Sequence, residues 1–188
     1  MNDSQLPASC SPDNDRPTGE MIPAWVGDEL TPVEKLEVHR RGLRHMAVSV
    51  FVICGDEMLI QRRALGKYHT PGLWANTCCT HPRWGESAED CALRRLEEEL
   101  GLRGLDFECR GRVSYRADVG GGLIEDERVN IFVARPAQKP HAVPNPAEVM
   151  DTAWVGLTDL AERTQHRPDD FTPWLRIYLA EHAAQIFA

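Results

Sequence analysis

The chain has 188 residues, 42% of them hydrophobic and 27% charged, which suits one globular domain able to bury its own core. With 21 basic against 29 acidic residues its net charge is −8, which argues against nucleic acid as a partner but leaves room for a local basic pocket that takes a small anion. The apolar run 46–54 is too short to span a bilayer, and no basic stretch followed by an apolar one opens the chain, so neither a membrane nor a secretory route is expected.

Residues 1–22 are rich in Ser, Pro, Asp and Asn without periodicity and read as a flexible tail, with the folded domain over residues 23–188. Structure is expected to begin near Trp25, and Thr31-Pro32 followed by Glu34 resembles a helix start or a tight turn. Residues 46–54, β-branched and apolar on both faces, predict a central strand; Gly55-Asp56 turns the chain and 57–62 returns as a second strand. Residues 66–85 have no clean period and form a long loop of the kind that serves a site. The clearest helix covers 88–100: Ser87 caps it, Asp90 completes a capping box, and Gly101 stands where a left-handed residue belongs. Helical winding gathers Ala92, Leu93, Leu96 and Leu100 into a buried stripe, with Arg95 and Glu99 at its edge. Strands follow at 112–117 and 123–133 around Gly120-Gly121-Gly122, then a short one at 149–155, and 174–187 reads as a closing amphipathic helix. This order of elements suggests an α/β (α+β) fold, helices packed on a mixed or largely antiparallel sheet.

On the strand 123–133, odd positions bring Glu125 and Glu127 to the same face as Val129, Ile131 and Val133. Burying two unpaired carboxylates there costs roughly several kcal/mol unless a cation compensates; the alternative is that the strand end frays and both reach water. His39 and His45, flanking a turn at Gly42, and His81 in the long loop add imidazole donors. Three His with two Glu suit Zn2+ or Mn2+ in a five- or six-coordinate shell. An isolated histidine is more often a surface or core residue than a ligand, and His69, His141, His166 and His182 are read that way.

Cys78-Cys79-Thr80-His81-Pro82 sets a thiol near that cluster; half of a structural zinc site is the other reading, although no second Cys or His pair stands at finger spacing. Glu99, four residues after Arg95, is either half of an intrahelical ion pair or an oxygen ligand for Mg2+ carried by a diphosphate. Arg62, Arg63 and Lys67, ahead of the long loop, are either solvated surface or the grip on that diphosphate. Six cysteines, two of them adjacent, in a chain of this length fit a reduced cytoplasmic protein better than a disulfide scaffold.

Arg62-Arg63-Ala64-Leu65, Pro71-Gly72-Leu73-Trp74, Asn76-Thr77-Cys78-Cys79-Thr80-His81-Pro82 and Gly85-Glu86-Ser87 together resemble the type I isopentenyl-diphosphate isomerases. The resemblance continues through Arg94-Arg95-Leu96, Glu99-Leu100-Gly101, Tyr115-Arg116-Ala117, Glu125-Asp126-Glu127 and Phe171-Thr172-Pro173-Trp174, and covers nearly everything from Lys35 onward. It implies a Nudix-like mixed sheet sandwiched by helices. The helix 88–100 falls where the Nudix box G-x5-E-x7-REUxEExGU (U aliphatic) would lie, but Thr80 replaces its first Gly and Arg95 the Glu of its RE pair, while Glu98, Glu99 and Gly101 remain. That broken signature agrees with an isomerase better than with the main rival, a Nudix-type diphosphate hydrolase.

The resemblance further implies that His39, His45, His81, Glu125 and Glu127 bind a divalent metal, Mn2+ or Zn2+, and that Glu99 holds a Mg2+ bridging to the substrate diphosphate. Lys35, Arg63, Lys67 and Arg95 would contact that diphosphate. Cys79 and Glu127 would be the acid–base pair, with Tyr115 and Trp174 beside the reacting carbons; Cys79 rather than Cys78 is implied because it stands two residues before His81. Trp174 could equally be a core anchor for the last helix. The expected partner is a small-molecule diphosphate of isoprenoid biosynthesis, acted on by a monomer. A non-enzymatic alternative is a zinc-stabilised binding module built on Cys78, Cys79 and His81.

Overall fold

In the computed structural model, residues 19–188 are described; positions 1–18 of the expected tail lie outside them. Strands β1 (Met21–Val26) and β2 (Glu29–Glu34) form an antiparallel hairpin with Pro23 opposite Pro32. Two expectations change here. Met21 and Ile22 belong to β1, with Ile22 fully buried, so ordered chain begins ahead of residue 23. Thr31-Pro32 is neither a helix start nor a turn, because β2 is the edge of the sheet, where a proline removes no ladder bond that an inner strand would need. Helix α1 (Lys35–Arg41) starts only after it, with the Glu34 carboxylate accepting from the Glu37 N–H, and stops at Gly42, whose φ of 58° is the left-handed conformation that glycine tolerates best.

The rest of the chain builds on β3 (Arg44–Cys54). After it come β4 (Glu57–Arg63), the short β5 (Trp74–Ala75) and β6 (Cys78–Thr80), helix α2 (Ala88–Leu100), β7 (Glu108–Asp118), β8 (Ile124–Ala134) and β9 (Val149–Gly156). Helix α3 (Leu157–His166), a 3-10 turn at Pro168–Asp170, α4 (Pro173–Glu181) and α5 (Ala183–Phe187) close the fold. The 9-stranded sheet is mixed: β3 runs parallel to β8 and antiparallel to β1, β4 and β6, while β7 pairs with β8 and β9 with β4. The expected helix-covered mixed sheet is thus what the residues form. No helix among the described residues is long and apolar enough to cross a membrane.

Alternation along β3 divides the interior into two layers. Val48, Val50 and Val52 face α2, where they meet Cys91, Ala92, Leu96 and Leu100. Ala47, Phe51 and Ile53 face the other way, onto Leu160 of α3, Trp174, Leu175 and Tyr178 of α4, and Ile186 of α5. Burial on both faces explains why β3 reads as a continuous apolar run. Helix α2 has the expected caps: Ser87 Oγ accepts from the Asp90 N–H at 3.0 Å, and Gly101 has φ 65°. Its buried arc is Cys91, Ala92, Leu96, Glu99 and Leu100, rotated toward Glu99, so Leu93 falls on the open flank and is exposed. The single closing helix expected at 174–187 is two, α4 and α5, divided at His182, and α3 precedes them.

Leu96 is 1% exposed and sits at the centre of the α2 layer. Leu96→Ala is expected to lower the unfolding free energy by about 2–5 kcal/mol, through lost apolar transfer and the cavity left behind. Urea unfolding monitored by circular dichroism measures it; a loss under roughly 1 kcal/mol would mean that this layer repacks freely.

Candidate active site

The layer that faces α4 carries the polar residues. Strand alternation aims His45 and Ser49 from β3, Cys79 from β6, Tyr115 from β7, and Glu125 and Glu127 from β8 to this side. Glu127 stands between two in-register neighbours, His45 on the parallel side and Tyr115 on the antiparallel side. Cys79 pairs with Ser49 and Cys78 with Val50, so the adjacent thiols point to opposite faces of the sheet. Cys78 is fully buried against α2, which separates it from His81 and removes the zinc module built on both cysteines. The last turn of α1 adds His39, and the loop between β4 and β5 adds Lys67, Tyr68 and His69. A bulge in β4 between Arg62 and Arg63 breaks the register, and Arg63 lies buried. Together with Lys35, Arg95 and Trp174, most of these side chains line one cavity of about 30 Å3, room for roughly one or two waters.

His39, His45 and His81 form a triangle of rings with centroids 4.9–5.1 Å apart. His39 Nδ1 lies 2.6 Å from the Lys35 carbonyl and His45 Nδ1 2.8 Å from that of Leu43, which commits each Nδ1–H and leaves each Nε2 as a bare lone pair. The Nε2 of His39 is buried with no partner, and those of His45 and His81 lie 3.2 Å apart. His81 Nε2 is 3.0 Å and His45 Nε2 3.5 Å from Glu127 Oε1. Lone pairs and a carboxylate oxygen converging on one buried point fit a divalent cation of borderline hardness. Burial, then the neighbouring His45, draws His39 down to about 4, and burial pushes His69 and His81 well below the usual histidine range, so these three rings are neutral and able to ligate.

The two carboxylates sit in unequal surroundings. Burial and the neighbouring Glu127 raise Glu125 well above the carboxylate range, whereas at Glu127 the effect of burial is outweighed by the adjacent His45 and His81 rings, which lower it. The Tyr115 hydroxyl spans them, 2.7 Å from Glu127 Oε2 and 2.9 Å from Glu125 Oε2. Cys79 Sγ lies 2.8 Å from Asn76 Oδ1 and 3.0 Å from Ser49 Oγ, which in turn meets the Tyr178 hydroxyl at 2.9 Å. Burial pushes the Cys79 thiol well up, so it is protonated.

The basic residues named from the sequence gather at the same cavity, each already engaged. Lys35 Nζ is 3.0 Å from Glu20 and Lys67 Nζ 2.5 Å from Glu148. Arg95 bridges Glu98, Glu99 and Glu148 at 2.9, 2.5 and 3.2 Å. Arg63 donates to the carbonyls of Thr70 and His69, at 3.2 and 3.0 Å, while its guanidinium lies 5.2 Å from the Trp174 ring centre. Glu99 is buried, held by Arg95 and by Gln61 Nε2 at 2.9 Å.

Four residues at this site were not singled out from the sequence. Ser49 had a signal, being the one polar residue inside the apolar run 46–54. Asn76 lies within the quoted loop motif, while Tyr178 is a core residue whose hydroxyl alone reaches the site. His69, assigned to the background histidines, is 6% exposed, stacks on His39 with ring centres 5.5 Å apart, and turns Nε2 to within 3.6 Å of Glu125 Oε1.

The fold and residues 43–175, which match the model of the NUDIX domain, define a Nudix-fold protein. The chain belongs to the isopentenyl-diphosphate Delta-isomerase family within that fold. It is 66% identical over 168 residues to the Isopentenyl-diphosphate Delta-isomerase of Cereibacter sphaeroides strain KD131, covering 89% of this chain and 95% of the relative. To that of Dinoroseobacter shibae it is 60% identical, covering 89% and 96%. Among solved structures, a Deinococcus radiodurans protein superposes with a TM-score of 0.69 at 14% identity, over 85% of this chain and 97% of that one. A MutT NUDIX hydrolase from Burkholderia pseudomallei gives 0.58 at 20% identity, over 74% and 98%. Identities this low speak for the fold alone.

Proposed function

We infer that the protein interconverts isopentenyl diphosphate and dimethylallyl diphosphate, the activity for which its relatives are named. The observation that carries the reading is that a neutral thiol, Cys79, and an ionised carboxylate, Glu127, line one small cavity walled by cations. Moving the double bond adds a proton to the terminal alkene carbon and removes one from the carbon next to the diphosphate-bearing carbon. A protonated and an unprotonated group within reach of the substrate form the complementary pair that this exchange needs, in either direction. Tyr115, whose hydroxyl lies within hydrogen-bond distance of both carboxylates and closer to that of Glu127, holds Glu127 in place. Trp174, whose ring already faces the Arg63 guanidinium, would present the same π cloud to a carbocation-like intermediate, an attraction of about 2 kcal/mol once water is excluded.

His39, His45, His81, Glu125 and Glu127 would hold Mn2+ or Zn2+, and such an ion would favour the ionised form of both carboxylates and lower the proton affinity of Glu127. Glu99 is read as the ligand of the Mg2+ that accompanies the diphosphate, with Lys35, Arg63, Lys67 and Arg95 as cationic contacts. Glu20 and Glu148, now paired with Lys35 and Lys67, are the anions that the diphosphate would displace as the small cavity opens. The tight grip then positions an alkene that offers no polar handle of its own. We take the substrate to be handled by a monomer in the cytoplasm.

Diphosphate hydrolysis fits less well: Arg95 stands where the hydrolase box has a glutamate, and it ties up Glu98 and Glu99. Proton NMR of isopentenyl diphosphate with the metal-loaded protein and Mg2+ in D2O tests the reading. Loss of the vinylidene signal with growth of deuterated dimethylallyl product is expected. An intact alkene with phosphate release would transfer the protein to the hydrolases.

A further inference from the structure

We propose that His69 is a sixth protein ligand of the divalent cation, closing the shell of His39, His45, His81, Glu125 and Glu127. The inference rests on the metal reading above. Two groups of donor atoms each lie within 4.8 Å of one another: His39, His45, His81 and Glu127, and His39, His69 and Glu125. They share His39, whose Nδ1 is committed to the Lys35 carbonyl, so a single lone pair, on Nε2, serves both. One lone pair binds one ion. Both groups therefore converge on the same cation, and their union is six donors, four imidazoles and two carboxylates.

The spacings between neighbouring donors approach those of such a shell. Metal–ligand bonds of about 2.1 Å put neighbouring corners of an octahedron about 3.0 Å apart. The observed neighbours are 3.0 Å (His81 to Glu127), 3.2 Å (His45 to His81), 3.5 Å (His45 to Glu127) and 3.6 Å (His69 to Glu125), and because the six donors do not all lie within 4.8 Å of one another, a bound ion would have to draw the two groups together. The ring of His69 is set in the manner of those of His39 and His45. Its Nδ1 lies 3.2 Å from Thr70 Oγ1, as those of His39 and His45 lie against carbonyls, and its Nε2 is turned to the cluster. Arg63 approaches the same Nδ1 only at 3.5 Å and spends its guanidinium on the carbonyls of His69 and Thr70.

The backbone accepts a disfavoured conformation to deliver this ring. Thr70 has φ 46°, and among the described residues it is the one non-glycine with positive φ. A β-branched side chain resists that region, and strain of this kind persists where the surroundings over-determine it. If His69 only packed on Trp174, nothing would require its Nε2 to face Glu125 and the His39 ring. A shell closed by six protein donors would leave no position for water or substrate, so a bound cation would act through Glu127 rather than on the alkene.

The test uses the full chain stripped with a chelator and reloaded with Mn2+, read by water-proton relaxation and by chelator competition. The wild type is expected to give only outer-sphere relaxation. His69→Ala should gain the signal of one exchangeable inner-sphere water and at least a tenfold rise in Mn2+ Kd, and millimolar imidazole should reverse both. His69→Gln, closer in volume, guards against collapse of the loop, and thermal melts of the stripped variants verify folding. An inner-sphere water already present in the wild type, or a His69→Ala protein with unchanged Kd and relaxation, overturns the sixth ligand alone. His81→Ala serves as the control: if it too binds Mn2+ like the wild type, the metal reading falls with the proposal.

Discussion

Cys79→Ala is expected to lower kcat for isopentenyl diphosphate by about a thousandfold or more, the upper part of the range for losing a positioned acid–base group. The thiol lies on the α4 face between Ser49 and Asn76, and burial keeps it protonated. Deleting it removes a proton carrier while changing little volume, so the variant should fold and retain its metal. Cys78→Ala is the informative control. That residue is fully buried, where Cys79 is only partly so, and faces Leu96 and Cys91 across the sheet, so its loss should cost about 1 kcal/mol of stability and leave kcat nearly intact. Steady-state rates of both variants, with deuterium incorporation from D2O, check the pair. A Cys79→Ala enzyme that keeps a tenth of wild-type kcat would exclude the thiol from proton transfer.

The contrast between these neighbours also illustrates what could be read from the sequence. Adjacent residues on a strand face opposite sides, but residues 66–85 show no strand period, so β6 could not be drawn there and only the family resemblance separated Cys79 from Cys78. Where periodicity was strong it located the elements well. The apolar run of β3, the odd-position face of β8 and the Ser87 and Gly101 caps of α2 all correspond to what the structure contains. Thr31-Pro32 misled because the same dipeptide suits a helix start and an edge strand, and which of these it joins depends on distant partners. Helix α3 escaped because it buries only Leu160 and Thr164 and has no side-chain cap, so neither stripe nor boundary stood out. His69 carries no spacing signal at all. Its place follows from the left-handed turn at Thr70 and the hold of Arg63 on two carbonyls, tertiary facts that no local pattern encodes.

Removing the divalent cation is expected to abolish turnover and to lower the melting temperature by roughly 5–15 °C. A ligand present at about 100–1,000 times its Kd stabilises the native state by about 2.7–4.1 kcal/mol, and each kcal/mol shifts the midpoint of a domain this size by about 2–4 °C. The physical source is the cluster itself: Glu125 and Glu127 are 3% and 5% exposed, and without a cation they face each other, the imidazoles of the cluster and one tyrosine hydroxyl. One carboxylate then takes up a proton to avoid the repulsion, which Glu125 does. Glu125→Gln should therefore leave the stripped protein about as stable as the stripped wild type, because a neutral side chain replaces one that is already neutral. The same substitution should erase most of the gain on adding Mn2+ or Zn2+, since a carboxylate donor is lost. Differential scanning calorimetry of both proteins, stripped and reloaded, measures the two differences. A Glu125→Gln protein whose midpoint still rises with metal as far as the wild type would remove Glu125 from the ligand set.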